Sequence, residues 1–140
     1  MKAHLTRRYR FSASHRLHNE AMSLDENRLT YGKCNNPHGH GHNYFLEVTV
    51  SGPVEEATGM VCNLADLDGF MCREVVERYD LGNLNAAEEF KLNIPTTENL
   101  CIAIYETVSR GFDKVHLEKV RIEETLMNSF EYAGPSGLHR

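Results

Sequence analysis

One strand-like segment constrains the fold of this chain more than any other. Residues 40–53 read HGHNYFLEVTVSGP. Four apolar residues in this segment recur at every second position: Tyr44, Leu46, Val48 and Val50. Alternation with period two places these four on one face of a strand, and Ser-Gly-Pro predicts where the strand stops. His40 and His42 extend the same face, so one strand carries both an apolar stretch and two imidazoles.

The remaining segments predict a mixed α+β fold. Strands are expected at residues 5–14, 59–63, 114–124 and 128–133, and residues 18–37 are read as one long loop. Helices are expected from a cap at Asn63 to about Tyr79, and from a cap at Thr96 or Thr97 to Gly111. Grouped strands and grouped helices favour a mostly antiparallel, four-stranded sheet packed on two helices, in a single domain of residues 1–140.

Charge and hydropathy exclude several classes of function. The chain has 15 Lys and Arg against 20 Asp and Glu, a net charge of -5, and no basic stripe interleaved with aromatic residues. This composition argues against a nucleic-acid partner. No apolar run has the length of a signal peptide or a membrane span, so we predict a cytoplasmic protein that does not bind membranes.

The four cysteines form no Cys-x-x-Cys pair and predict free thiols rather than a disulfide framework. Three of them, Cys62, Cys72 and Cys101, are expected to fill space in the core. Cys34 differs, because it lies in GKCNNP beside Lys33 and close to the histidines. A nearby cation, either Lys33 or a bound metal ion, would lower the pKa of this thiol and make it a base or a nucleophile.

Three alternating histidines predict a metal site. Side chains two positions apart on a strand point the same way, and three neutral imidazoles with one open position are a typical catalytic zinc site. Any two of His38, His40 and His42 satisfy this geometry. His15 continues the apolar parity of the first strand and is the best candidate for a third ligand.

Several motifs together resemble one enzyme family. They are FSASHRL (11–17), GKCNNPHGHGHNY (32–44), GMVCNLADL (59–67), PTTEN (95–99) and EET (123–125). Their order is similar to that of the 6-pyruvoyltetrahydropterin synthase family, which includes the 6-carboxytetrahydropterin synthases of queuosine biosynthesis. The resemblance implies the tunnelling fold (T-fold), in which subunit sheets join into a barrel and two trimers form a homo-hexamer.

The resemblance also implies roles for individual residues. It assigns zinc to His15, His40 and His42, and leaves His38 outside the ligand set. Cys34 becomes the general base, and Asp80 belongs to the proton relay. Glu124 becomes the residue that holds the pterin ring, with help from three residues of the PTTEN segment: Thr96, Thr97 and Glu98.

The implied reaction is a zinc-dependent elimination. It converts 7,8-dihydroneopterin triphosphate to 6-pyruvoyltetrahydropterin with loss of triphosphate, and Mg²⁺ bound to the triphosphate is a second candidate cofactor. Arg16 and Lys33 both lie in segments suited to binding this acidic tail. The alternatives are a 6-carboxytetrahydropterin synthase, which releases acetaldehyde, a non-catalytic pterin-binding homologue, and a module that only binds metal.

One residue departs from the family pattern. The family usually has Asp-His-x-x-Leu after its first long helix, whereas this chain has Asp80-Leu81-Gly82-Asn83-Leu84. A leucine cannot transfer a proton. Either His38 or a water held by Asp80 takes the place of the missing histidine, or the chemistry is slower or altered, or the chain is an engineered variant.

Overall fold

The computed structural model describes residues 2–135, so both ends of the predicted 1–140 domain lie outside the described residues. The main elements, in chain order, are β1 (Ala3–His15), α1 (Leu24–Tyr31), β2 (His40–Gly52), α2 (Leu64–Met71), α3 (Glu77–Tyr79), β3 (Gly82–Asn83), α4 (Thr97–Gly111), β4 (His116–Thr125) and β5 (Asn128–Tyr132). The predicted α+β class is confirmed.

The strands form one mixed sheet in the order β3-β1-β2-β4-β5. β1 and β2 pair antiparallel along their whole length, from Ala3 opposite Gly52 to His15 opposite His40. β4 pairs antiparallel with β2 on one side and with β5 on the other. β3 adds a fifth strand, parallel to β1 at two positions. The predicted sheet of four strands missed β3 because two residues carry no periodicity.

The two predicted long helices are confirmed. Asn63 caps α2 through its side chain, and a π-helical segment, Cys72–Val76, links α2 to α3, so the helical path ends at Tyr79. Thr96 caps α4, whose last residue is Gly111. Both helices pack their apolar side chains onto the inner face of the sheet, where most core residues are fully buried: Phe11, Tyr44, Leu46, Val48, Val50, Leu67, Met71, Val75, Leu100, Ile104, Val108, Val120 and Ile122.

The prediction of one loop over residues 18–37 was wrong, because this segment contains α1 and a 3₁₀ turn, Gly32–Asn35. Ser23 and Glu26 form a reciprocal capping box at the start of α1. The buried residue of this helix is Asn27, which is 0% exposed and bonds to three backbone carbonyls. Polar anchoring leaves no apolar period, so the usual helix signal is absent.

Two further sequence predictions were wrong. Residues 59–63 form no strand, because the chain turns there: Gly59 N–H donates to the Glu55 carbonyl, and Glu55 N–H donates to the Met60 carbonyl. Cys72 is exposed rather than buried in the core, whereas Cys62 and Cys101 are buried as expected. Within residues 2–135, no helix is long and apolar enough to cross a membrane.

Candidate active site

Strand register brings three histidines together at one end of the inner face. His15 lies directly opposite His40 on the neighbouring strand, and His42 follows two positions along the same face. One nitrogen from each of the three rings lies within 4.8 Å of the others, and the Nε2 atoms of His15 and His40 are 3.1 Å apart. His38 is exposed and lies outside this cluster. The structure therefore groups the three histidines that the family resemblance selected.

A backbone carbonyl orients His15. Its Nδ1 atom lies 2.8 Å from the Pro95 carbonyl oxygen, which can only accept a hydrogen bond, so Nδ1 carries the proton. In a neutral ring the Nε2 atom then presents a lone pair to the cluster. Burial lowers the pKa of His15, whose side chain is 1% exposed, and favours this neutral form. A carbonyl behind a histidine ring is a common feature of metal sites.

The cluster fits a metal ion. His42 Nε2 is buried and has no hydrogen-bond partner within the described part of the chain, which is costly for a polar atom. Burial also lowers the pKa of His40, so its imidazole favours the neutral form that binds metals. Ligand nitrogens around a tetrahedral zinc lie about 3.3 Å apart, close to the 3.1 Å between His15 and His40. Three imidazoles with no fourth protein ligand among residues 2–135 match a catalytic zinc site.

A carboxylate lies beside the histidines. Phe45 of β2 pairs with Glu123 of β4, so Glu124 follows on the inner face next to the cluster. Its Oε2 atom accepts a hydrogen bond from Thr97 Oγ1 and lies 4.0 Å from His42 Nε2. Burial opposes ionisation, but the Thr97 hydrogen bond and the nearby histidines hold the pKa of Glu124 below its ordinary value. Glu124 is therefore an oriented carboxylate, ready to accept hydrogen bonds.

Cys34 lies in the 3₁₀ turn that precedes the histidine strand. The Leu17 N–H donates to the Cys34 carbonyl at 2.8 Å and ties this turn to the end of β1. The expectation that Lys33 lowers the pKa of the thiol was wrong for the metal-free chain. Burial raises that pKa first, and the negative charge of Glu124 raises it further. The exposed Lys33 side chain does not offset these two effects.

The other predicted residues do not converge on the cluster to the same extent. Thr96 uses its hydroxyl to cap α4, and Glu98 is exposed. Asp80 accepts a hydrogen bond from the Ser12 N–H at 2.9 Å, and no hydrogen bond or ion pair in residues 2–135 joins it to Cys34. Leu81 is 88% exposed with a φ of 60°, and its N–H donates to the Ser12 carbonyl.

Sequence reasoning missed two groups that shape the site. One is the Pro95 carbonyl, which orients His15, and no side-chain signal can reveal a backbone acceptor. The other is Asn35, which is 6% exposed and donates from its side chain to the Leu17 carbonyl and to His18 Nδ1. A buried asparagine in a polar segment looks like an ordinary loop residue in the sequence.

Comparison with known proteins assigns the family. Residues 4–135 match the family described as 6-pyruvoyl tetrahydropterin synthase. A fruit-fly (Drosophila melanogaster) protein named 6-pyruvoyl tetrahydrobiopterin synthase is 45% identical over 139 residues, which cover 98% of this chain and 83% of that protein. The solved structure of Caenorhabditis elegans 6-pyruvoyl tetrahydropterin synthase superposes with a TM-score of 0.91 at 42% identity, covering 96% of this chain and 97% of that one.

A more distant relative comes from an archaeon. The Archaeoglobus fulgidus protein named as a putative 6-carboxy-5,6,7,8-tetrahydropterin synthase is 38% identical over 86 residues, which cover 61% of this chain and 67% of that protein. The fruit-fly and Caenorhabditis elegans proteins, which match nearly the whole chain, carry the pyruvoyl name instead. The chain belongs to the 6-pyruvoyl tetrahydropterin synthase family of enzymes.

Proposed function

We propose that this protein is a zinc-dependent lyase that converts 7,8-dihydroneopterin triphosphate to 6-pyruvoyltetrahydropterin and releases triphosphate. The observation that carries the proposal is the shared inner face of three neighbouring strands, which presents three histidines and an oriented Glu124 side by side. The family assignment and the names of the relatives that match nearly the full chain support this choice of reaction.

Glu124 is the proposed pterin anchor. A carboxylate can accept two parallel hydrogen bonds from the amino group and ring N–H of a pterin, as it does from a guanidinium. The Thr97 hydroxyl holds one oxygen of Glu124, which fixes the plane of the carboxylate before the substrate arrives. Thr97 itself is 2% exposed, so its rotamer is held by packing. A pterin bound to Glu124 would lie next to the histidines, because Glu124 Oε2 is 4.0 Å from His42 Nε2.

His15, His40 and His42 are the proposed zinc ligands. A zinc ion bound there would act as a Lewis acid on the hydroxyl oxygens of the substrate side chain and make the adjoining C–H more acidic. Its positive charge would also offset the burial that raises the pKa of the Cys34 thiol. Cys34 then removes the proton as a thiolate, which makes it the proposed general base.

Proton removal is assigned to Cys34 without a histidine at position 81. Leu81 has no group that can exchange a proton, and Asp80 is occupied by the Ser12 backbone. If the missing histidine limits the rate, Leu81→His raises kcat without changing the product. If Leu81→His leaves the rate of an already active wild type unchanged, the relay argument fails.

The proposed assembly is a hexamer in which sheets join edge to edge. In the described residues β3 covers β1 at only Ala13 and Ser14, and β5 has no neighbour on its outer side. Open sheet edges are templates for pairing with another chain. Light scattering should give a mass near six times the 16.0 kDa chain. A monomer at micromolar concentration would contradict the proposed assembly.

We also propose that the enzyme acts in the cytoplasm, where its free cysteines stay reduced. Mg²⁺ bound to the triphosphate tail is the second proposed cofactor. Neither proposal alters the assignment of the zinc ligands.

Incubation with 7,8-dihydroneopterin triphosphate tests the function. The expected products are 6-pyruvoyltetrahydropterin and one triphosphate per turnover, identified by chromatography, with zinc retained after gentle purification. Release of acetaldehyde would favour the second candidate, 6-carboxytetrahydropterin synthase, whose name the archaeal relative carries. Pterin binding without turnover at any pH would indicate a non-catalytic homologue, and zinc binding without pterin binding would indicate a metal-binding module.

A further inference from the structure

A cavity of about 790 Å³ adjoins the histidine cluster on the side of α1. Three basic side chains line it, Arg16, Arg28 and Lys33, and no carboxylate does. His40 forms part of the same wall, so the cavity opens beside a proposed zinc ligand. A chain with a net charge of -5 therefore has a locally cationic cavity next to its proposed active site. We call this space the cationic cavity.

The three basic residues come from three segments that are held together by hydrogen bonds. Arg16 follows β1, Arg28 lies on α1, and Lys33 lies in the 3₁₀ turn. The side chain of Asn35 donates to the Leu17 carbonyl and joins the turn to the segment after β1. Asn27 connects α1 to the preceding loop through Asn19 in both directions. The wall of the cavity is therefore preorganised before any ligand enters.

The basic groups remain available to a ligand. Arg16 Nε donates to the Asn35 carbonyl at 3.1 Å, and none of the described hydrogen bonds uses its two terminal amino groups. Lys33 forms no ion pair within residues 2–135. Arg28 lies 3.7 Å from Asp25, but both side chains are largely exposed, and such pairs contribute little. A polyanion can therefore displace Asp25 at little cost.

The position of the cavity fits a substrate with two ends. Glu124 lies beside His42, whereas the cationic cavity lies beside His40. A pterin ring on Glu124 therefore extends its side chain across the histidines toward the three basic groups. Arginine binds phosphate oxygens through two parallel N–H groups, and lysine binds them as a point charge.

We propose that the cationic cavity binds the triphosphate of the substrate, and that Arg28 is a substrate-binding residue. The inference rests on the proposed function and adds a residue that lies outside every motif used to identify the family. Arg16 and Lys33 bind the triphosphate together with Arg28, so three cations share this role and none has to dominate. Because Arg28 contacts the tail, it contributes to binding of the triphosphate and not to proton removal.

The test is steady-state kinetics of Arg28→Ala in the full-length, zinc-loaded protein. The KM for 7,8-dihydroneopterin triphosphate should rise about tenfold, while kcat changes less than about twofold. Inorganic tripolyphosphate should inhibit the wild type competitively, and its inhibition constant should rise by the same factor in the variant. Arg28→Lys should recover part of the loss. Arg73→Ala removes an exposed arginine outside the cavity and should change neither constant.

Two results separate this inference from the function it rests on. If wild type turns over but Arg28→Ala keeps its KM and its tripolyphosphate inhibition constant, the inference is overturned and the function stands. If wild type does not turn over, calorimetry with tripolyphosphate still decides. Binding that weakens in Arg28→Ala supports the cavity, and equal binding or none rejects it. Circular dichroism should show that Arg28→Ala folds, since alanine favours an exposed helix position.

Discussion

The two ends of β2 share one face of one strand and serve opposite purposes. Toward Gly52 that face carries Leu46, Val48 and Val50, all fully buried in the hydrophobic core. Toward its start the same face carries His40 and His42, whose rings include nitrogen atoms that are buried without a partner. The apolar end stabilises the fold. The histidine end destabilises it, because buried nitrogen atoms lack hydrogen-bond partners, but it provides the proposed metal ligands. Stability and activity should therefore respond to different halves of β2.

The largest effect is expected at the histidine end. His42→Ala removes one of the three proposed zinc ligands, so turnover should fall by about a thousandfold, equivalent to about 4 kcal/mol of transition-state stabilisation. Zinc content should fall with it, measured by mass spectrometry of the metal. The free energy of unfolding of the metal-free protein should change by less than about 1 kcal/mol, because the lost group was unsatisfied.

A matched histidine checks this result. His38 lies four positions earlier but is exposed and outside the cluster, so His38→Ala should keep both zinc and turnover. An equal loss of turnover in His38→Ala, with zinc retained, would show that His38 takes the place of the missing histidine at position 81.

The apolar end should show the reverse pattern. Leu46 is 0% exposed, and Leu46→Ala should lower the free energy of unfolding by about 3 kcal/mol in urea denaturation. The kcat per folded, zinc-loaded molecule should stay within about twofold of wild type. A large fall in kcat without a loss of stability would show that the two ends are not independent.

A smaller effect is expected next to the histidine end. Leu81 has a φ of 60°, which favours glycine, and its side chain is 88% exposed. Leu81→Gly should therefore raise the free energy of unfolding by about 0.5–1 kcal/mol. Leu92 is similarly exposed, but its φ is not positive, so Leu92→Gly should lower stability slightly. Equal changes in both variants would mean that the backbone at Leu81 is not strained.

The smallest effects are expected in the pH dependence of the free energy of unfolding, where each group contributes only through the difference between its folded and unfolded pKa. At the far end of β2, Ser51 and Lys2 lower the pKa of Glu118 from 4.5 to about 2. Its stabilising contribution is present above pH 4.5 and is lost as the pH falls toward 2. Burial lowers the pKa of His15 and His40, so in metal-free protein their contribution is lost as the pH falls below 6.5.

Urea unfolding at a series of pH values measures both changes in the free energy of unfolding: the loss below pH 6.5 from the histidines and the loss between pH 4.5 and 2 from Glu118. Glu118→Gln should flatten the acidic window and leave the change below pH 6.5 in place. If that substitution removes both, the two ends of β2 do not titrate separately.

The sequence predicted those parts of the molecule that depend on an apolar period. The four apolar positions of β2 appear directly in the residue pattern, as does the apolar stripe of α4, formed by Leu100, Cys101, Ile104 and Val108. The parity of β1 and β2 placed His15, His40 and His42 on inward faces. The sequence did not predict α1, because Asn27 anchors this helix through polar contacts, which leave no apolar period in the residue pattern.

The electrostatics of the site could not be predicted from neighbours in sequence. Lys33 adjoins Cys34 in the chain, yet burial and Glu124 determine the pKa of the thiol. Glu124 is distant in sequence, and only the pairing of β2 with β4 brings it close. The family resemblance assigned roles to these residues, but only the fold shows which charges lie close enough to affect the pKa of the Cys34 thiol.

The register between β1 and β2 has a consequence for newly made chains. Residues 16–39 separate the two strands, so no tight turn sets their alignment. A shift of one residue would turn Phe11 and His15 to the outer face and separate His15 from His40. A misaligned hairpin would therefore bury the wrong residues and also lack the three-histidine cluster. The proposed zinc ion would therefore bind and stabilise only chains with the native alignment.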